Sequence, residues 1–251
     1  MKKVLSLVLV ALLILGSFSF VFAEDAETVK ITVIHTNDTH ARLVEDSYNG
    51  VIGFAKIAAL IKEAKEANPN TLVLDAGDTL HGMPIVNISK GENAIKVLEA
   101  AGYDYLTLGN HDFNYGKDRL FELRDMSQVG MLSANIVDEK GEYVFTPYVI
   151  EEVGGVKVGI YGLSTPDTVI LTNPTNVPGL TFEDPVEVSK EMVDELKDKT
   201  DVIIALAHLG LDESSSITSK ALAQAVEGID IIIDGHSHTL LATGQLENNT
   251  L

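Results

Sequence analysis

Five short tracts hold most of the residues that could do chemistry: His35-Thr36-Asn37-Asp38-Thr39-His40, Asp75-Ala76-Gly77-Asp78, Gly109-Asn110-His111-Asp112, His208, and Asp234-Gly235-His236-Ser237-His238. The chain has seven His, and six of them, all but His81, fall in these tracts. Imidazole and carboxylate together suit Zn, Mn, Co or Fe, and the general affinity order of divalent ions does not choose among them. Asp38-x-His40 places two ligand types on one turn. A carboxylate such as Asp78 can offer one oxygen to each of two ions. Two neighbouring ions clamp both oxygens of an in-line displacement at phosphorus and bring the pKa of a shared water near neutral. Two dications set against Asp38, Asp78 and hydroxide leave a slightly positive site, which a phosphate ester would seek. One His after a strand is more often structural than a ligand. Five such tracts in one chain are not explained that way.

The tracts follow apolar, β-branched runs. Val29–His35, Thr71–Ala76, Tyr103–Leu108, Asp201–Ala207 and Ile229–Asp234 read as strands. Apolar residues at helical spacing predict helices over Val51–Ala67, Glu92–Ala101, Lys117–Ser127, Pro185–Lys199 and Ser214–Glu227. Gly130–Ala134 adds a strand, and Tyr143–Glu152 with Val156–Leu163 forms a hairpin about Gly154-Gly155. Near-continuous apolar strands separated by amphipathic helices predict an α/β chain whose sheets are covered on both faces. Open sheets of this kind bind ligands beyond the carboxyl ends of their strands, where the five tracts lie. Thr165–Gly179, with three Pro and two Asn, reads as a long loop. Beyond Thr239 the pattern fades, and no strand or helix is predicted before Leu251, an ending that reads as a domain boundary.

Composition narrows the partners. The chain carries 18 Lys+Arg against 37 Asp+Glu, a net charge of −19, which argues against binding nucleic-acid polymers. Hydrophobic residues at 45% are enough for a core and exclude disorder of the bulk. The absence of Cys excludes disulfides, thiolate metal sites and cysteine nucleophiles. Lys2-Lys3, the run Val4–Leu15 and the small-residue exit Val21-x-Ala23 before Glu24-Asp25 predict a cleaved export signal over residues 1–23. The expected location is therefore periplasmic, cell-surface or secreted, with the domain at 24–251. An uncleaved anchor over Val4–Ala23 is the competing reading. No other run approaches membrane length, so no membrane contact is expected beyond that signal.

Taken together, Asp38-x-His40, Gly77-Asp78, Gly109-Asn110-His111-Asp112, His208 and Gly235-His236-x-His238 resemble the calcineurin-like metallophosphoesterases. The flanking ITVIHTNDTHARL, VLDAGDTLHGMP, LTLGNHDFNYG, GLSTPDT and IDGHSHT resemble the amino-terminal domain of the 5′-nucleotidase and 2′,3′-cyclic-nucleotide phosphodiesterase family, from about Val29 to Thr239. The resemblance implies a four-layer αββα sandwich, two mixed sheets flanked by helices, holding two divalent metal ions. It implies a first metal at Asp38, His40, Asp78 and His238, and a second at Asp78, Asn110, His208 and His236. Catalytic roles fall to Asn110 and to His111, the latter outside the metal shell and against the phosphate, as charge stabiliser or acid. Asp112 and Asp234 either orient neighbouring His residues or cap their loops.

Three departures from the family pattern stand out. Asn114 sits where members often have a carboxylate that orients the equivalent of His111; it is expected to accept a hydrogen bond without adding charge. His238 fills a position often held by Asn or Gln. The family's carboxy-terminal substrate-binding domain, which supplies an aromatic stack and arginines for the nucleoside, is missing from these residues. The sequence thus predicts an exported dinuclear phosphohydrolase that releases phosphate from nucleoside 5′-monophosphates or related nucleotides by metal-activated hydroxide attack. The alternatives are a 2′,3′-cyclic-nucleotide phosphodiesterase and a non-catalytic metal-binding domain of the same fold. His35 is expected to pack or to support a ligand, and His81 to lie near the site.

Overall fold

The computed structural model describes residues 28–251, so the expected export signal at 1–23 lies outside the described residues. In chain order the elements are β1 (Thr32–Thr36), α1 (Phe54–Ala67), β2 (Thr71–Asp75), α2 (Pro84–Asn87), α3 (Glu92–Ala101), β3 (Tyr105–Thr107), α4 (Lys117–Met126), β4 (Gly130–Leu132), β5 (Ile136–Asp138), β6 (Tyr148–Val153), β7 (Val156–Ser164), α5 (Thr168–Leu171), β8 (Leu180–Phe182), α6 (Pro185–Leu196), β9 (Val202–His208), α7 (Ser219–Ala225) and β10 (Ile231–Ile233).

Successive side chains of a strand point to opposite faces, and here both faces are apolar. On β2, Val73 joins the cluster under α1, α3 and α4, with Ile61, Leu98 and Leu123. Its neighbours Leu72 and Leu74 turn the other way, against Ile160, Ile204 and Leu206 of the second sheet. On β7 and β9, Tyr161, Leu163 and Ala205 pack under α6 and α7, with Met192, Leu196 and Leu222. Three apolar interfaces therefore separate four layers, and the αββα sandwich is present. The first sheet, in the order β1-β2-β3-β4, is parallel throughout rather than mixed. The second, β10-β9-β7-β6, is parallel except for the antiparallel β6–β7 hairpin.

Some boundaries move for local reasons. Helix α1 starts at Phe54 rather than Val51 because Gly53 sits at φ 74°, and a Cβ there would lie 2.5 Å from the Glu45 nitrogen. Helix α7 starts at Ser219 rather than Ser214, where the Thr218 side chain accepts the Ala221 N–H as an N-cap. Helices α2 and α5 and the antiparallel pair β5–β8 were not anticipated; at three or four residues each, they are too short to show a period. Among the described residues no helix or strand follows β10, as expected, but Leu251 is tied down. Leu251 donates its N–H to Asp230 (3.0 Å) and accepts from Ile232 (2.8 Å), so it pairs along the free edge of β10. Among the described residues no helix is long and apolar enough to cross a membrane.

Strands β1, β2 and β3 of one sheet, and β7, β9 and β10 of the other, end on a common edge. The loops that leave them are where the polar tracts meet.

Candidate metal centre

The tracts turn sharply as they leave their strands. Asp38 (φ 50°), His40 (φ 45°), Asp78 (φ 58°), His236 (φ 76°) and His238 (φ 53°) all hold left-handed backbone, which costs a non-glycine residue free energy and concentrates at functional sites. The loops also touch backbone to backbone. A Cβ on Gly109 would lie 2.7 Å from the Asp78 nitrogen and 2.1 Å from its Oδ1, so only glycine allows the Asn110 loop to close on the Asp78 loop.

Two carboxylates lock these turns. Asp112, 1% exposed, accepts four backbone N–H groups: Thr79 (3.1 Å) and Leu80 (2.8 Å) on Oδ1, Asp78 (2.9 Å) and Gly109 (2.8 Å) on Oδ2. Asp234 takes the N–H of Leu209 (2.8 Å) and Gly235 (2.9 Å) on Oδ1 and of Gly210 (2.9 Å) on Oδ2, together with the Ser219 hydroxyl. Each joins two of the tracts, and the hydrogen bonds go to loop amides rather than to imidazoles. Burial lifts the Asp112 carboxyl to about 6, with Asp78 adding to the rise and the amides opposing it.

Within this frame the ligand-type atoms converge. One atom each from Asp38, His40 and His238 lies within 4.8 Å of the others, as do sets from Asp38, Asp78 and His208 and from His40, Asp78 and His111. His40 Nε2 and His238 Nε2 are 3.0 Å apart. The His208 Nε2 stands 3.3 Å from Asp78 Oδ2 and 3.9 Å from Asp38 Oδ1. The His236 ring packs edge-on to His208 at 5.0 Å, and its backbone N–H reaches Asp38 Oδ1 at 3.1 Å. Of the seven residues expected to hold metal, Asp38, His40, Asp78, His208 and His238 belong to these sets, and His236 packs against His208. His111 stands closer to them than expected, its ring 5.1 Å from that of His40 and its N–H donating to Asp78 Oδ1 at 2.8 Å. His35, expected to pack or to support a ligand rather than to be one, is exposed and belongs to none of these sets.

The donor set fits a cation. Among the described residues, Asn110 Oδ1 and His208 Nε2 are buried without a hydrogen-bond partner, a costly state that a positive centre relieves. His208 Nδ1 donates to the Ala76 carbonyl at 2.6 Å, which leaves Nε2 as the ring atom that can give up its proton to a metal ion. Burial opposes charge on both partners, yet Asp78 and His208 hold each other ionised: the Asp78 pKa goes down and the His208 pKa goes up. Burial is also the main reason that the pKa values of His40 and His236 fall below the ordinary value, which favours neutral, lone-pair-bearing rings.

Several participants were not legible as such. Asp75, fully buried, accepts from Thr36 Oγ1 (2.6 Å), Thr79 Oγ1 (2.9 Å) and the Gly77 N–H (3.0 Å), and burial raises its pKa to about 7. Asn114 faces His111 with its amide nitrogen, Nδ2 to Nδ1 at 2.9 Å, so it donates instead of accepting. The same nitrogen reaches His81 Nδ1 at 3.2 Å. Thr172 and Asn176, from the loop after β7, hold Asn114 in place. The available signal was the parallel pairing of β7 with β9, which brings that loop to the site edge, but strand pairing is not local in sequence.

Residues 31–240, which span every one of these tracts, match the family model described as calcineurin-like phosphoesterase. The chain belongs to the calcineurin-like phosphoesterase family. It is 36% identical over 233 residues to a bovine 5′-nucleotidase, covering 86% of this chain and 39% of that protein. Among solved structures, the chain resembles calcineurin-like phosphoesterase YfkN from Bacillus subtilis with a TM-score of 0.76 at 34% identity, covering 85% of this chain and 74% of that one. A 5′-nucleotidase precursor from Thermus thermophilus gives a TM-score of 0.75 at 36% identity, covering 85% of this chain and 43% of that one. The chain therefore spans about two-fifths of the length of the bovine 5′-nucleotidase.

Proposed function

We propose that this phosphoesterase domain is a dinuclear metal-dependent phosphohydrolase acting on nucleoside 5′-monophosphates or related nucleotides. The observations that carry the reading are the orphaned buried atoms Asn110 Oδ1 and His208 Nε2 and the convergence of Asp38, His40, Asp78, His208 and His238. The substrate class rests on relatives named 5′-nucleotidase. Asp38, His40, Asp78 and His238 would hold one ion, and Asp78, Asn110, His208 and His236 the other, with Zn, Mn, Co or Fe all compatible. When bound, two such ions supply Lewis-acid charge and a water of near-neutral pKa.

The chain's own residues do the rest. Asp78 presents two oxygens, Oδ1 fixed by the His111 N–H and Oδ2 towards His208. Asp112 and Asp234 keep the loops from relaxing when charge is placed between them. His111 accepts from Asn114 at Nδ1, so its proton sits on Nε2, where it can serve a phosphoryl oxygen or the leaving oxygen. The domain is assigned to residues 24–251 and its location to outside the cytoplasm, after a signal at 1–23; amino-terminal sequencing of the exported protein tests both.

The functional experiment is turnover of para-nitrophenyl phosphate and its bis ester, with and without chelator. Chelator-sensitive release from the monoester, restored by Mn, Co or Zn, is expected. Faster turnover of the bis ester would favour the cyclic-nucleotide diesterase. Metal binding without turnover of either ester would favour a non-catalytic domain.

A further inference from the structure

His81 belongs to none of the polar tracts, yet it is among the most constrained imidazoles near the site. Its ring stacks on His111 with centroids 6.0 Å apart and planes 7° from parallel. Tyr115 packs on it at 5.2 Å, and the Tyr115 hydroxyl donates to Asn87 Oδ1 at 2.6 Å. Asn87 in turn clamps the residue after His81: its Oδ1 accepts the Gly82 N–H (3.0 Å) and its Nδ2 donates to the Gly82 carbonyl (2.8 Å). Gly82 lies directly on the His40 backbone, with no room for a Cβ.

The proton on His81 can be placed from the network. Asn176 Nδ2 donates to the Asn114 backbone carbonyl at 3.3 Å, a group that only accepts, and this fixes which end of the Asn176 amide is nitrogen. The same nitrogen donates to Thr172 Oγ1 at 3.2 Å. The Thr172 hydroxyl then gives its own proton to Asn114 Oδ1 at 3.0 Å. Asn114 Nδ2 is therefore the donor to both Nδ1 atoms, of His111 at 2.9 Å and His81 at 3.2 Å. Both rings accept at Nδ1 and carry their proton on Nε2. In His81 that N–H is the one polar group of the side chain not used by the protein contacts named above.

We infer that His81 is a substrate-contacting residue whose Nε2–H donates to an oxygen of the leaving group, a sugar hydroxyl or ring oxygen near the scissile ester. This rests on the phosphohydrolase reading and deepens it. His111 occupies the position beside the metal-capable residues, and His81 stands one ring-stack further out, where the alcohol part of an ester would lie. The preferred substrates are then sugar phosphates and nucleotides over aryl phosphates, which offer no such oxygen.

The test compares kcat/KM for AMP, ribose 5-phosphate and para-nitrophenyl phosphate on the metal-loaded 251-residue chain. His81→Ala should lower the ratio of AMP to para-nitrophenyl phosphate, and of ribose 5-phosphate to para-nitrophenyl phosphate, by about tenfold, the value of one hydrogen bond to substrate. The change should appear mainly in KM. His81→Gln, whose amide nitrogen can replace Nε2–H, should recover most of the ratio. Equal losses on all three esters, or a loss that Gln does not recover, would show that His81 only props His111 and would overturn the inference. So would no loss at all. A wild-type chain that binds metal and turns over none of the three would overturn the phosphohydrolase reading and this inference with it.

Discussion

His208 and Ala76 are 132 residues apart in sequence, yet the imidazole Nδ1–H donates to the Ala76 carbonyl at 2.6 Å. That bond ties the end of β9 in one sheet to the loop after β2 in the other. Because a carbonyl can only accept, the bond keeps a proton on Nδ1 and turns Nε2 towards Asp78 and Asp38. Two sheets that could slide on an apolar interface are thereby keyed together at the atoms that matter.

Asp78 and His208 should differ in how much metal their loss releases. Asp78 is assigned to both ions, His208 to one. Asp78→Ala is expected to leave the chain with no tightly held metal, and His208→Ala with about one ion per chain. Elemental analysis after gel filtration reads both numbers. Two ions retained in Asp78→Ala would disprove the bridging assignment.

Asp112 touches no metal-capable atom, yet its replacement should be severe. Each of its oxygens accepts two backbone N–H groups. In Asp112→Asn one oxygen becomes an amide nitrogen facing two donors. Unpaired buried donors cost about 1–3 kcal/mol each, so a loss of about 2–4 kcal/mol is expected. Chemical denaturation of the metal-free chain measures it. Metal affinity should fall as well, because the Asp78 and Asn110 loops lose their common anchor.

That both faces of the sheets are covered was legible because the strands are apolar throughout, as Leu72, Val73 and Leu74 show by dividing between two clusters; the four-layer order came from the family resemblance. The ligand tracts were legible because a chain with so few His places them just after strands. What stayed hidden depended on contacts across the fold. Nothing in the local sequence says that the Asn114 amide turns its nitrogen to His111; that follows from Thr172 and Asn176, which only the β7–β9 pairing brings near. Asp75 read as the end of a strand, and its hydroxyl partners Thr36 and Thr79 come from the end of β1 and from the loop after β2. The two-stranded β5–β8 ladder was too short to show an alternation.

Asp75 should make stability fall as pH rises. Its pKa is about 7 in the folded chain, against about 3.9 when unfolded. Between those values the folded state holds a proton that the unfolded state has released, so raising the pH favours unfolding until both are ionised. Below about pH 4 the group contributes no difference. Asp75→Asn removes this penalty. Relative to wild type it should gain stability steadily from about pH 4 to about pH 7 and then level off, by up to about 4 kcal/mol. Urea denaturation of both metal-free proteins at several pH values reads the difference. A gain that is the same at about pH 4 and about pH 8 would mean that Asp75 is ionised throughout.

His111 separates binding from chemistry. It is assigned no metal, and its Nδ1 is occupied by Asn114. His111→Ala is therefore expected to keep the metal content of the wild type while losing turnover. A positioned acid contributes about 10²–10⁴-fold, and the loss should depend on the leaving group. An alkyl ester such as ribose 5-phosphate expels a basic alkoxide that needs a proton, so it should suffer the larger loss. Para-nitrophenolate leaves without one and should suffer less. The measurement is kcat for a series of esters whose leaving alcohols span a wide range of acidity, in wild type and His111→Ala. A steeper dependence on leaving-group acidity in the variant identifies Nε2–H as the acid. Parallel lines, offset by a constant factor, would instead place that N–H on a phosphoryl oxygen, where it meets charge that develops whatever group departs.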